Sequence, residues 1–397
     1  MQVKQGVRKL LARTPGVNHL VHAAYRGRQV RRRHEQLQAA LARDLFGPHC
    51  FDGGKYSVAH EPTIRCNLKC KMCYQQNFRD EVNALPLMSY GRELRTAEVK
   101  LLYDRLNLRS IGLVGSEVFV RKDIFELLQH LQDRGVAYTI LTNGTLINEG
   151  NLPVLLAFRP STERIIYSID GPRDVHDRIR GVPGAFDKVC RAIELTRPHF
   201  NISINTVILG DNLDQLEETV SIVRDLGLPT LNLTFEEVYT REEIAQTRNI
   251  LTRHLGWREG EFEISTHERD GFPYALQDLR KRLRDVRLFA ESRGVFVNFT
   301  PYTWEHHLED YYHGTGHRTL QLVCPKLLEP TARIDHLGNI LFCGVLRKSW
   351  GNLLEKTFEE IWNAEDFREF RRSLLKGNML PICRRCCKVD SLPRGID

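Results

Sequence analysis

From Tyr56 onward, apolar residues come in short runs separated by stretches in which they recur every three or four positions. The short runs predict strands at Tyr56–Ala59, Ser110–Val114, Ala137–Thr142, Arg164–Ile169, Ile202–Ile208 and Thr230–Phe235. Between them, helical spacing covers Ala97–Leu106, Ile124–Arg134, Asn148–Phe158, Ala185–Leu195 and Leu213–Leu226, with Gly135 and Gly227 in helix-stop positions. Strands alternating with helices in this way predict repeated βαβ units, hence an α/β fold whose parallel sheet curls into a partial (β/α)6 barrel. An insertion, Val238 to Tyr274, precedes a further helix pattern, Leu276–Arg293, and a short strand, Val295–Phe299. A segment dense in aromatics and histidines, Tyr302 to His317, leads into a cysteine-bearing tail.

Ahead of the sheet the pattern is different. Val3, Val7, Leu10 and Leu11 have helical spacing, Pro15 and Gly16 interrupt it, and a second helical stripe runs through Val30, Leu37, Ala40, Leu41 and Leu45. Arg31, Arg32, Arg33 and Arg43 occupy its polar side, and Met1 to Arg43 holds ten Lys or Arg against one acid, Glu35. Two readings stand: solvated basic helices packed on the core, or an amphipathic surface that meets anionic lipid. The chain of 397 residues carries a net charge of +7, and it is long enough for one large core plus an accessory domain. It has neither the apolar run of ~18 residues that a spanning helix needs nor the compact apolar region of a secretory signal. A cytoplasmic protein is expected, at most peripheral at the inner membrane surface, with no nucleic-acid partner. The expected division is a basic extension (1–50), a catalytic core (51–300), an aromatic and histidine-rich linker (301–323) and a tail domain (324–397).

Ten cysteines, most of them in two tight groups, read in a reducing compartment as metal or redox ligands, not as a disulfide framework. Cys66, Cys70 and Cys73 form a C-x3-C-x2-C run in the loop after the first predicted strand. Three closely spaced thiolates can hold three corners of a [4Fe-4S] cube and leave the fourth iron open, whereas structural zinc wants a fourth ligand, for which His60 is on offer. The second group is Cys324, Cys343, Cys383 and Cys386, with Cys387 adjacent; four thiolates with one C-x2-C suit iron or zinc. Cys50 and Cys190 read as unligated, Cys190 as core beside Val189 and Ile193.

The first run, in this position on this strand order, resembles the radical S-adenosylmethionine (SAM) superfamily, and the resemblance extends to about Phe299. It implies that the open iron chelates the amino and carboxylate groups of SAM and that reductive cleavage yields a 5′-deoxyadenosyl radical, which abstracts a substrate hydrogen. Gly115-Ser116-Glu117 looks like the family's segment that receives the SAM amino group, with Ser116 in place of a glycine. Ser168 would reach the ribose hydroxyls and Arg180 the SAM carboxylate, for which a planar guanidinium is apt. Asp170 belongs to the same segment and also fits a turn before Gly171. Asn143 and Asn205 are further polar candidates, and Met72 departs from the aromatic often found before the third cysteine. The second group resembles the SPASM domain, which binds auxiliary iron–sulfur clusters. Because the chain ends at Asp397 with only Cys387 added, one auxiliary [4Fe-4S] cluster is expected, making two in all, with Cys386 favoured over Cys387 on spacing.

The enzyme reading is therefore a radical SAM oxidoreductase or maturase fed by a flavodoxin- or ferredoxin-type electron donor. Its expected substrate is a non-peptide small molecule, a sugar, a lipid or another metabolite, undergoing dehydrogenation or epimerisation. A peptide substrate is the enzymatic alternative, and a non-catalytic iron–sulfur binding or redox-sensing protein is the alternative of another class. Glu117, Ser168 and Arg180 argue against the last, since a bare cluster scaffold needs no SAM pocket. Glu236 and Glu237, on the predicted barrel rim, are candidates to bind or deprotonate substrate. So are some of Trp304, His306, His307, Tyr311, Tyr312, His313 and His317, although helix packing explains these as well.

Overall fold

The computed structural model describes residues 51, 53–73, 93–301, 304–315, 320–327, 330–375 and 379–393, with a few positions between 28 and 39. The first basic helical pattern, the apolar stripe of the second and Cys50 lie outside the described residues. In chain order the core elements are β1 (Tyr56–His60), α1 (Thr96–Asp104), β2 (Leu108–Leu113), α2 (Ile124–Asp133), β3 (Ala137–Thr142), α3 (Leu152–Leu156) and β4 (Thr162–Ser168). They continue with α4 (Arg173–Arg180), α5 (Ala185–Thr196), β5 (Ile202–Ile208), α6 (Leu216–Asp225) and β6 (Thr230–Phe235). The insertion holds β7 (Val238–Tyr239), α7 (Arg241–Asn249), β8 (Phe262–Ile264) and β9 (His267–Glu268), before α8 (Leu276–Arg293), β10 (Phe296–Thr300) and α9 (Trp304–His313). The tail adds β11 (Leu320–Val323), β12 (Thr331–Ile334), β13 (Ile340–Leu341), β14 (Leu346–Lys348), α10 (Phe358–Trp362), α11 (Glu365–Leu375) and β15 (Asp390–Pro393).

All six expected strands form, in the spatial order β6-β5-β4-β3-β2-β1, every neighbouring pair parallel. Two additional parallel strands extend the sheet, β10 beside β6 and β12 beside β1, and β13 turns back antiparallel on β12. The tail is thus joined to the barrel by backbone hydrogen bonds as well as by packing. Side chains alternate between the outer face, buried under helices, and the barrel interior, which explains the apolar runs. Tyr138, Ile140, Ile165, Tyr167, Ile204 and Leu231 are all fully buried.

Three local departures from the periodicity have identifiable causes. The helix expected over Asn148–Phe158 contracts to α3 because Asn148 Oδ1 accepts from Gly150 N at 2.9 Å, forming a turn, and Pro153 sits in the first turn of the helix. Within the insertion, α7 is started by a capping box, Thr240 and Glu243, each side chain bonded to the other's backbone N–H. The strand β8 pairs antiparallel with β14, so insertion and tail share a small sheet. Among the described residues, no helix is long and apolar enough to cross a membrane.

Candidate active site

A parallel sheet brings the C-terminal ends of its strands to one rim, and the chemistry-bearing loops leave from there. The loop after β1 carries Cys66, Cys70 and Cys73, and backbone bonds hold it in place. Lys69 N donates to Arg180 O at 3.0 Å, Lys71 N to Ile179 O at 2.9 Å and Glu117 N to Arg65 O at 3.2 Å. Gly181, with φ of +70°, lets the end of α4 lie against this loop: a Cβ there would strike the Lys69 carbonyl. Met72 packs on Val175, Ile179 and Leu209.

The predicted SAM-side residues come together around the same loop. Ser116 Oγ donates to Ile64 O at 2.8 Å, and Gly115 passes so close to Glu61 that a Cβ would meet its side chain at 2.9 Å. Glu117 is 1% exposed; it accepts from Thr142 Oγ1 at 2.8 Å and Asn143 N at 2.7 Å, and burial pushes its carboxyl up to about 6. Asn143 Nδ2 donates to Asn67 Oδ1 at 3.0 Å and lies 3.9 Å from Cys66 Sγ. Arg180 Nε donates to Asp170 Oδ2 at 2.6 Å, and its Nη1 lies 3.7 Å from Cys70 Sγ. Burial raises the Cys70 thiol to about 11, against the opposing pull of Arg180.

Asp170 is fully buried, and its other oxygen accepts from Val207 N at 3.0 Å. Both carboxylate oxygens are engaged within the protein, so Asp170 orients Arg180 and closes the turn after β4. Ser168 and Asn205 are register partners on β4 and β5. Asn205 Oδ1 accepts from Asn232 Nδ2 at 3.0 Å, and Asn232 Oδ1 from Asn298 Nδ2 at 3.0 Å, giving a polar row across β4, β5, β6 and β10. Single polar residues inside apolar runs, Asn232 and Asn298 among them, are the signal that marks this row.

A second set of thiols gathers on the tail side. Cys324, Cys343, Cys383 and Cys386 line one cavity of about 50 Å³, walled mainly by apolar side chains including Phe342, Leu346 and Phe370. Backbone N–H groups point at two of the sulfurs: Val345 N lies 3.4 Å from Cys343 Sγ and Lys388 N 3.3 Å from Cys386 Sγ. Among the described residues no three His, Cys, Asp or Glu side chains converge as one ion requires. A ring of thiols spread around a cavity matches a polynuclear cluster better than tetrahedral zinc, whose sulfurs at ~2.3 Å from the metal must crowd together. Cys387 is buried; its side chain contacts that of Cys386, and its Sγ donates to Glu237 Oε1 at 3.0 Å.

Glu236 and Glu237 follow β6, and Glu237 bonds Cys387 beside the second thiol set. Glu236 is 3% exposed and paired with Arg269 at 3.0 Å. Burial pushes its carboxyl up to about 7, with Arg269 opposing and Asp211 adding to the rise. Asp211 in turn accepts from Lys71 Nζ at 2.9 Å, inside the first cysteine run. Between the two regions, fully buried Glu61 binds Arg333 and, at 3.1 Å, Arg347. Sequence reasoning missed Glu61, Asn67, Lys71, Asp211 and Arg269.

In the linker, Tyr311 Oη donates to Arg385 O at 2.8 Å and Tyr312 Oη to Tyr274 O at 2.6 Å, so Tyr311 braces the tail and Tyr312 the insertion. His313 is exposed, whereas the side chains of Trp304, His306 and His307, and all of His317, lie outside the described residues. Cys190 packs against the core on α5.

Residues 60–249 match the radical SAM superfamily model, and residues 324–387 match the SPASM model, an iron-sulfur cluster-binding domain. An AdoMet-dependent heme synthase of Methanosarcina barkeri is 28% identical over 331 residues, 79% of this chain and 84% of that protein. The PqqA peptide cyclase of Ruegeria pomeroyi is 30% identical over 178 residues, 44% of this chain and 45% of that protein. Among solved structures, Streptococcus suis SuiB bound to precursor peptide SuiA superposes with a TM-score of 0.57 at 17% identity, over 88% of this chain and 74% of that one. The latter is a likeness of fold. The chain carries a radical SAM domain and a C-terminal SPASM domain, which makes it an enzyme that uses SAM, a [4Fe-4S] cluster and auxiliary iron–sulfur.

Proposed function

We propose that Cys66, Cys70 and Cys73 hold the SAM-cleaving cluster and that Cys324, Cys343, Cys383 and Cys386 hold one auxiliary [4Fe-4S] cluster. On this reading the enzyme removes hydrogen from a non-peptide small molecule in a net oxidation. The donor sets fit these groups. Each offers thiols, N–H groups directed at sulfur and, at the first, the Arg180 guanidinium to offset thiolate charge. When bound, the first cluster and SAM supply the 5′-deoxyadenosyl radical.

The chain's own part is to bind, orient and exclude water. Glu117 pins Asn143, Asn143 pins Asn67, and Asp170 aims Arg180, so the cysteine loop and the strand ends behave as one braced unit. Gly115, Ser116, Ser168 and Asn205 complete the side on which SAM is received. The observation that carries the reading of a substrate between two clusters is the adjacency of Glu236 and Glu237. One is coupled through Asp211 and Lys71 to the first cysteine run, the other is bonded to Cys387 beside the second set. A carboxyl with a pKa near neutral, held by Arg269, can accept the proton that a substrate loses on oxidation.

The non-peptide reading is supported by the relative that matches most of both chains, which is named a heme synthase. A peptide substrate is the second reading, favoured by the shorter match to a peptide cyclase. The test is anaerobic turnover with SAM and dithionite in the presence of cell extract separated into small-molecule and peptide fractions. Stimulation of 5′-deoxyadenosine formation by the small-molecule fraction supports the proposal; stimulation by the peptide fraction alone overturns it.

A further inference from the structure

The cavity ringed by Cys324, Cys343, Cys383 and Cys386 has one wall that does not come from the tail. Tyr239, the last residue of β7, reaches it from the barrel's insertion. Tyr239 is fully buried, and its hydroxyl is a buried polar atom without a hydrogen-bond partner among the described residues. Folded proteins avoid leaving such a group unpaired, and a tyrosine in an apolar wall is chosen over phenylalanine when its O–H has something to reach.

The nearby polar groups already have other uses. The hydroxyl lies within electrostatic reach of Glu237, Cys386, Cys387 and Tyr311. Glu237 accepts from the Cys387 thiol at 3.0 Å, and Tyr311 donates its own hydroxyl to Arg385 O at 2.8 Å. What remains beside Tyr239 Oη is the sulfur of Cys386, which accepts from Lys388 N at 3.3 Å and contacts the Cys387 thiol, at the cavity that Tyr239 and Cys386 both line.

On the reading that these four cysteines hold the auxiliary cluster, we propose that Tyr239 donates its hydroxyl hydrogen bond to that cluster's sulfur and thereby raises its reduction potential. A sulfide or thiolate accepts more strongly when the cluster carries the extra electron. The bond therefore favours the reduced form, and hydrogen bonds to sulfur are among the levers that set such potentials. A donor supplied by the barrel also ties the cluster's potential to the docking of insertion on tail, which Ile382 N to Thr247 Oγ1 at 3.3 Å and Arg385 to Glu243 at 2.9 Å maintain. Easier reduction suits a cluster that takes an electron from substrate, which is the net-oxidation branch of the proposed function.

The experiment compares Tyr239→Phe with its parent in the full chain carrying Cys66→Ala, Cys70→Ala and Cys73→Ala, so that only the auxiliary signal is read. Reductive titration followed by EPR is expected to show the reduced-to-oxidised ratio, poised at the parent's midpoint, falling about threefold to tenfold; tenfold is ~59 mV for one electron. Pulsed EPR in D2O is expected to lose one strongly coupled exchangeable deuteron, a change that a packing role for Tyr239 would not produce. Iron is expected to stay at about four per chain. An unchanged midpoint and deuteron spectrum at about four iron overturns the proposal alone. Iron near zero in the parent overturns the cluster assignment and the proposal together. Should the triple-alanine background not fold, the same comparison is made in the wild-type holoenzyme on the EPR signal that SAM leaves unchanged, with the same deciding outcomes.

Discussion

The two cysteine sets share a ligand chemistry and differ in nearly everything that holds them. Cys66, Cys70 and Cys73 lie within eight residues of chain on a loop fastened by polar contacts, from Lys69 N to Arg180 O and from Asn143 to Asn67. Cys324, Cys343, Cys383 and Cys386 come from segments up to about sixty residues apart and ring a cavity whose other walls are mostly apolar. The first is braced by bonds from the barrel's own loops and strand ends, suited to admitting a changing ligand at an open iron. The second depends on what fills it, because a cavity of about 50 Å³, against the ~10–15 Å³ that one water needs, is a large void for a close-packed interior.

The largest expected effect tests the element that joins the two regions. Glu61→Gln takes the carboxylate from buried Arg347 and half-buried Arg333, and removal of one partner from a buried ion pair costs about 3–5 kcal/mol. Burial works to raise the Glu61 carboxyl, but Arg347 and Arg333 outweigh it and hold it at about 2. A depressed carboxyl contributes stability above its unfolded value of 4.5, and that stability is lost as pH falls from there towards about 2. Denaturant unfolding between pH 7 and pH 2 should show this acid limb in the wild type and a flatter one in Glu61→Gln.

Next in size is the contrast between the sets themselves. Cys383→Ala removes a cavity-filling cluster and should lower the thermal midpoint of the reconstituted protein by several degrees, whereas Cys66→Ala, in a loop pinned by its neighbours, should shift it by much less. Equal shifts would mean that the two sites depend on their clusters alike. A smaller, pH-resolved effect is expected at the rim. Glu236 titrates at about 7, so turnover should rise through neutral pH as this carboxyl ionises, and Glu236→Gln should lower the rate and remove that inflection. Smallest is Lys71→Ala: it breaks a partly exposed pair with Asp211 worth about 0–1 kcal/mol, visible only as a slight change in unfolding free energy.

The same contrast explains what the sequence disclosed. The first cysteine run was legible because its spacing is local, and the barrel strands because burial on two faces writes apolar runs into them. The strand β12, Thr-Ala-Arg-Ile, carries no such run, and its parallel partner β1 lies far back in the chain. The helix α7 was marked by Thr240 and Glu243 at capping-box spacing inside what reads as an insertion. Glu61 looks like one more acid before Pro62; its burial follows from Arg333 and Arg347, 272 and 286 residues away. The preference for Cys386 over Cys387, read from spacing, gains a physical argument from the structure: Cys386 lines the cavity, whereas the Cys387 thiol is bonded to Glu237.

The central claim is that this chain is a two-cluster device in which the first set makes the radical and the second set serves the oxidation. The most direct measurement is iron content and 5′-deoxyadenosine formation, side by side, in anaerobically reconstituted wild type, Cys66→Ala and Cys383→Ala proteins given SAM and dithionite. Wild type should hold about eight iron, and each variant about four. Reductive SAM cleavage should vanish in Cys66→Ala and persist in Cys383→Ala. About four iron in the wild type, or cleavage that survives Cys66→Ala, would contradict the account.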